Sequence, residues 1–184
     1  MQKLDESRIC SLIEQIKENN TAAFKEFFCC MQPGIYYFLY RYTSDADAAA
    51  DLTQETFINF WNHRSCLKNN LSPKSYLYRI ARNLAYNYIS RKPPVSSFGE
   101  NENVLVKLGN NPEQDYDRIL LLDDFQKAIN LLPERCRATF ILSRYEGLEY
   151  SQIAEVLNVS LQTVKNQMNK AFSVLRKQLA DHLD

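Results

Sequence analysis

Residues Glu149–Phe172 read EYSQIAEVLNVSLQTVKNQMNKAF, two short helical patterns separated by a tight break. Ser151 is a good N-cap for the first, which runs to about Leu157. Ile153, Ala154 and Leu157 fall on one helical face. Asn158 is among the few residue types besides glycine that accept a left-handed, helix-ending conformation. Ser160 can cap the second helix, where Val164, Met168, Ala171 and Leu175 recur at i, i+4, i+7 and i+11 as an inward stripe. The opposite face carries Gln162, Lys165, Asn166, Asn169 and Lys170, all able to donate to phosphates or base edges and none of them acidic. Small Ala154 lets the helices cross closely. The pattern predicts a helix-turn-helix, with Ser160–Phe172 as the helix that would lie in a major groove.

Two amphipathic helices joined by a turn also occur in bundles that never meet DNA, so the rest of the chain has to decide. Its 184 residues suit one domain or two small ones, and 45% hydrophobic content supports a core. Four glycines and long helix-compatible stretches predict an all-α protein. The formal net charge is zero, which removes any global pull on nucleic acid. The distribution is uneven, however. Asp45, Asp47, Asp51 and Glu55 form an acidic block. From Thr56 to Gly99 there is no acid, while Arg64, Lys68, Lys74, Arg79, Arg82, Arg91 and Lys92 are basic. Cys10, Cys29, Cys30, Cys66 and Cys136 are scattered and include no CxxC pair. His63-x-x-Cys66 alone has metal-like spacing, too little for a zinc site, so no metal or cofactor is expected. Reduced thiols, the lack of an apolar signal core and the lack of any membrane-spanning stretch predict a soluble, cytoplasmic chain.

Along the chain, residues 4–18 read as a helix, and Thr21 can cap the next. Residues 21–42 are rich in aromatics, most of them expected in the core. Pro33-Gly34 suggests a kink or break there. Asp45–Trp61 reads as a further helix with Leu52, Phe57, Phe60 and Trp61 as apolar anchors. Its polar, mostly acidic stripe is Asp47, Asp51, Gln54, Glu55 and Ile58. That stripe suits a solvated, dipole-favoured helix or a docking face for a basic partner helix. Ser72-Pro73 starts a helix over 74–91. Leu77, Ile80, Ala81, Leu84 and Tyr88 are its inner stripe, and Lys74, Tyr78, Arg79, Arg82, Asn83, Tyr86 and Asn87 its outer face, with Arg91 near its end. Cations beside exposed rings match single-stranded nucleic acid: charges track phosphates, and rings stack on unpaired bases at about 1–3 kcal/mol each. A basic amphipathic helix with half-buried tyrosines would show the same pattern. Residues 93–116, rich in Ser, Gly, Asn, Pro and acids, read as a flexible linker. Extended, its roughly 24 residues reach about 75–85 Å. Residues 117–132 form the next helical pattern, Pro133 opens another that runs to Glu146, and Gly147 stands as its C′ glycine. The domains expected are therefore 1–92 and 117–184.

With these residues in hand, the chain resembles a bacterial sigma factor of the extracytoplasmic-function (ECF) group. Asp51-Leu52-Thr53-Gln54-Glu55-Thr56-Phe57, followed by Trp61, resembles that family's DLxQExF…W motif, which docks on the clamp coiled coil of RNA polymerase. Ser75-Tyr76-Leu77-Tyr78-Arg79-Ile80-Ala81-Arg82-Asn83-Leu84 is similar to the WLxxIARNL stretch, which helps open and read the −10 promoter element. Leu132-Pro133-Glu134-Arg135-Cys136-Arg137, with Glu146-Gly147, Tyr150, Ile153-Ala154 and Thr163-Val164-Lys165-Asn166, resembles the second domain, whose recognition helix reads the −35 element. Three motifs in order around a linker of suitable length make the resemblance strong. The chain departs from it at Tyr76, where Trp is common, at Asn87, where Asp is frequent, and at Asn158, where the turn usually has Gly.

The resemblance implies a two-domain transcription initiation factor whose partners are core RNA polymerase and promoter DNA, duplex at −35 and melted at −10. An anti-sigma partner stays open. The implied polymerase-docking residues are Asp47, Asp51, Gln54, Glu55, Phe57 and Trp61. The implied −10 residues are Lys74, Tyr78, Arg79, Arg82, Asn83, Tyr86, Asn87 and Arg91. The implied −35 residues are Ser160, Gln162, Thr163, Lys165, Asn166, Asn169 and Lys170. No nucleophile–base constellation or phosphate loop suggests an enzyme. The rival reading is a stand-alone helix-turn-helix repressor with a ligand-binding helical N-terminal domain, which leaves the acidic helix unexplained.

Overall fold

A computed structural model describes residues 6–66, 72–91 and 125–180. Helix α1 spans Glu6–Lys17, α2 Thr21–Thr43 and α3 Ala46–Asn62, followed by a 3₁₀ turn at Arg64–Cys66; α4 spans Pro73–Arg91. A further helical stretch, α5, is described at 125–130. Then come α6 (Glu134–Arg144), α7 (Tyr150–Leu157) and α8 (Leu161–Ala180). The described residues are all-α, as expected. The expected linker 93–116, residues 117–124 of the next expected helix, and Leu4 lie outside the described residues.

Helices α1 to α4 form the first half. Helix α2 is its spine, packed against α1, α3 and α4. The aromatic run fills this core: Phe27, Phe38, Tyr42 and Phe60 are fully buried. Phe27 stacks on Phe60 at 5.0 Å, and Phe28 meets Phe57 edge-on at 4.6 Å. Each such ring stabilises the fold by about 1.5–3 kcal/mol through burial, with aromatic pairs adding about 0.5–1.5 kcal/mol. The paired hydrogen bonds from Arg8 to Glu26, at 2.9 and 2.7 Å, tie α1 to α2 at the surface.

Local starts and stops differ from expectation at several points. Helix α2 runs unbroken through Pro33-Gly34, its packing on three neighbours outweighing the hydrogen bond that proline cannot make. Its N-cap is Asn20 rather than Thr21, with Oδ1 accepting from the Ala22 and Ala23 amides at 3.0 and 3.1 Å. Helix α7 starts at Tyr150 with Glu149 as N-cap instead of Ser151, and the Glu149 amide donates to Gln152 Oε1 at 3.0 Å.

In the second half, α6 is the central helix. Ala138, Thr139, Phe140, Ile141 and Leu142 are buried on consecutive positions, so every side of its middle is covered. It ends at Arg144, two residues before the expected Glu146, and Gly147 turns the chain at φ 64°. Helix α8 packs on both α6 and α7. The two halves also touch: α4 packs on α7, and α2 on α6. Their buried side chains merge into one apolar cluster.

Candidate polymerase-docking and nucleic-acid faces

Helix α3 begins on Asp45, whose Oδ1 accepts from the Ala48 amide at 2.9 Å. Helical periodicity then divides its residues. Ala49, Leu52, Thr53, Thr56 and Phe60 face inward, with both threonine hydroxyls bonded to carbonyls four residues back at 2.6 Å. Asp47, Asp51, Gln54, Glu55 and Ile58 are exposed on the other side. Ile58, 58% exposed, sits among them as an apolar anchor in an acidic stripe. Two expected docking residues do not share that face. Phe57 is buried against Phe24, Phe27 and Phe28. Trp61 is half-buried against Phe24, with the Arg64 guanidinium 4.2 Å above its ring. Both lie beneath the stripe, and Phe57 is shut from solvent.

Helix α4 carries the basic and aromatic face. Asn83, Tyr86, Asn87 and Arg91 are exposed, and Lys74, Arg79 and Arg82 are half-buried. Tyr86 is 45% exposed, with the Arg82 guanidinium 5.0 Å over its ring. Tyr78, expected outward, is 2% exposed and meets Phe38 edge-on at 5.5 Å. It is covered because the second half closes over this part of α4. Its hydroxyl donates to Glu146 Oε2 at 2.5 Å, and Lys74 Nζ donates to the Glu146 carbonyl at 2.9 Å.

The same junction continues along α2 and α6. The Tyr42 hydroxyl donates to Glu134 Oε1, which also takes Arg82 Nη2 at 3.4 Å. The Arg41 guanidinium lies 4.1 Å over the Tyr145 ring. Ser44 Oγ bonds Asn130 Oδ1 at 2.9 Å, and Arg137 Nη1 donates to the Tyr42 carbonyl at 3.3 Å. Burial dominates the electrostatics here. It pushes the Tyr78 and Tyr42 hydroxyls well above the usual phenol range. It also raises the Glu146 carboxyl, against the opposing effects of Tyr78, Arg41 and Lys74.

The helix-turn-helix forms as the sequence predicts. Asn158 adopts φ 53°, ψ 51°, and its amide returns to the end of α7. Ser160 Oγ accepts from the Thr163 amide at 3.1 Å, capping α8. Val164, Met168, Ala171 and Leu175 are all buried. Gln162, Lys165, Asn166, Asn169 and Lys170 are exposed, with Ser160 exposed and Thr163 half-buried at the helix start. Gln162 and Asn166 are linked at 3.0 Å, holding two amides side by side on that face. Gln167, which the sequence did not single out, accepts from the buried Thr139 hydroxyl at 2.7 Å and ties α8 to α6. Among the described residues no cluster of potential metal ligands occurs, and no helix is long and apolar enough to cross a membrane.

Comparison with known proteins places both halves. Residues 27–93 match the Sigma-70 region 2 family, and residues 122–175 match Sigma-70, region 4. The chain is 29% identical over 185 residues to the ECF RNA polymerase sigma factor SigW of Bacillus subtilis (strain 168), covering 96% of this chain and 99% of that protein. It is 34% identical over 153 residues to the ECF RNA polymerase sigma factor SigE of Mycolicibacterium smegmatis, covering 80% of this chain and 58% of that one. The fold is also that of CnrH in complex with the cytosolic domain of CnrY, with a TM-score of 0.74 at 19% identity over 96% of this chain and 99% of CnrH. A sigma factor RpoE from Bartonella quintana, solved with the anti-sigma factor NepR, gives 0.69 at 24% identity over 85% of this chain and 96% of that one. With regions 2 and 4 in order along one helical chain, the protein belongs to the sigma-70 family and is an RNA polymerase sigma factor of the extracytoplasmic-function group.

Proposed function

We infer that this sigma factor engages core RNA polymerase through the acidic stripe of α3, opens and reads the −10 element with α4, and reads the −35 element with α8. It is a transcription initiation factor that binds core polymerase and promoter DNA. It works in the cytoplasm beside the polymerase and contributes placement rather than catalysis. The observation that carries the residue assignment is the segregation of faces. Asp47, Asp51, Gln54 and Glu55 project from one helix, and the acid-free polar side of α8 projects from another. An acidic stripe with a single exposed Ile58 fits a basic helical surface on the enzyme, where charge steers and the apolar side chain anchors. Exposed Asn83, Tyr86 and Asn87 supply amides and a ring for unpaired bases. Lys165 and Lys170 supply phosphate contacts, while Gln162, Asn166 and Asn169 can read base edges. A net charge of zero leaves the free chain weakly attracted to DNA, as suits a subunit that acts inside a larger enzyme.

The stand-alone repressor is not favoured, because sigma-70 region 2 occupies the half that would have held its ligand. An anti-sigma factor is a proposed regulator, by analogy with the RpoE relative solved with NepR. The test is transcription from fragmented DNA of the source genome by core polymerase with and without this chain. Start sites that require the chain and share two upstream elements support the reading. A complete lack of chain-dependent transcripts with active core overturns it.

A further inference from the structure

We propose that Glu134, at the start of α6, and Glu146, two residues past its end, hold the two halves of the free chain closed and mask the Lys74, Tyr78 and Arg82 part of the α4 face that would take single-stranded DNA. The proposal rests on the reading of α4 as the −10 face. Three of its assigned residues are occupied by the other half. Lys74 is bound to the Glu146 carbonyl, Tyr78 to the Glu146 carboxylate and Arg82 to Glu134. The carboxylates thus stand where backbone phosphates would have to stand. The contact is fitted rather than incidental. Gly34 faces it from α2, where a Cβ would come within 2.9 Å of Tyr78 Oη and 3.3 Å of Glu146 Oε2. The two buried phenols, Tyr42 and Tyr78, find their acceptors in these two acids, so losing either acid strands a hydroxyl in the closed form. Arg82 Nε, in contrast, is shut from water without an acceptor, so the closed form leaves one member of the basic face unsatisfied.

Geometry requires the closed form to open in use. Elements centred at −35 and −10 lie about 25 base pairs apart, about 85 Å of duplex at roughly 3.4 Å per base pair. Helix α4 cannot lie on one while packed directly against α7 of the unit that reads the other.

The experiment compares the full-length chain with a Glu134→Ala/Glu146→Ala variant, by small-angle scattering and by binding of a fluorescein-labelled mixed-sequence single-stranded DNA. A Glu14→Ala/Glu18→Ala variant makes the same charge change on α1, away from the junction. The expected result is a larger radius of gyration for the junction variant and binding about tenfold tighter, as follows if the open form is about a tenth of the wild-type population. Gly34→Ala, which wedges the same contact while favouring the α2 helix, should expand the chain in the same direction. Glu134→Gln/Glu146→Gln, which keeps the acceptors, should stay closed. An unchanged radius in both the alanine pair and Gly34→Ala overturns the proposal, as does expansion with no gain in binding or an equal gain in the α1 control. Retention of the wild-type chain on core polymerase is read separately and reports on the sigma assignment alone.

Discussion

Asn158 sits at φ 53°, ψ 51° between α7 and α8, a conformation that costs ordinary L-residues about 1–2 kcal/mol. Asparagine tolerates it, which is why the turn forms without the glycine common there. Asn158→Gly should therefore leave stability within a few tenths of a kcal/mol, whereas Asn158→Val should lower it by about 1–2 kcal/mol. Thermal denaturation of the full-length variants checks both. The site was readable from sequence because one residue type and one conformation are linked by local sterics. Tyr78 was not readable in the same way. The groups that cover it, Phe38 of α2 and Glu146, lie far away in sequence.

Among the elements, α8 was the most legible. An apolar stripe, a cap at Ser160 and a polar opposite face are all written in local spacing, and each is present. Lys165→Ala, on that polar face, should weaken binding of the polymerase–sigma complex to promoter duplex and lower the salt slope by about one unit. Titration across salt concentrations measures it, and an unchanged slope removes the phosphate contact. Helices α2 and α3 were harder. The aromatic run of α2 marks a core without specifying which ring meets which, and Pro33-Gly34 suggested a break that packing overrides. In α3 the docking motif as a string does not separate Phe57, which supports the stripe from within, from Asp51, which forms it. Side-chain direction settles that, and it follows from how α3 lies on α2.

For the whole molecule, the joining of the halves lies outside what periodicity can predict, since it depends on which faces of α2 and α4 meet α6 and α7 and on polar partners far apart in sequence. It also carries a pH signature. Burial raises the Glu146 carboxyl above its ordinary range in the closed form, so that form binds a proton more readily than an open one. Closure should then strengthen as pH falls from above the raised value toward the ordinary carboxylate range, and weaken as pH rises. Tyr78 and Lys74 of α4 and Arg41 of α2 face this group and moderate the shift. Small-angle scattering across mildly acidic to neutral pH should show the chain most compact at the acid end, and Glu146→Gln should flatten the trend. The stripe on α3 is the surface proposed to serve polymerase. The direct measurement is retention of bacterial core RNA polymerase by the immobilised full-length protein at moderate salt, beside an Asp51→Arg variant of unchanged melting temperature. Stoichiometric retention by the wild type, reduced at least about tenfold in the variant, is the predicted result. Equal retention by both would contradict the α3 assignment, and no retention by either would contradict the binding of core polymerase itself.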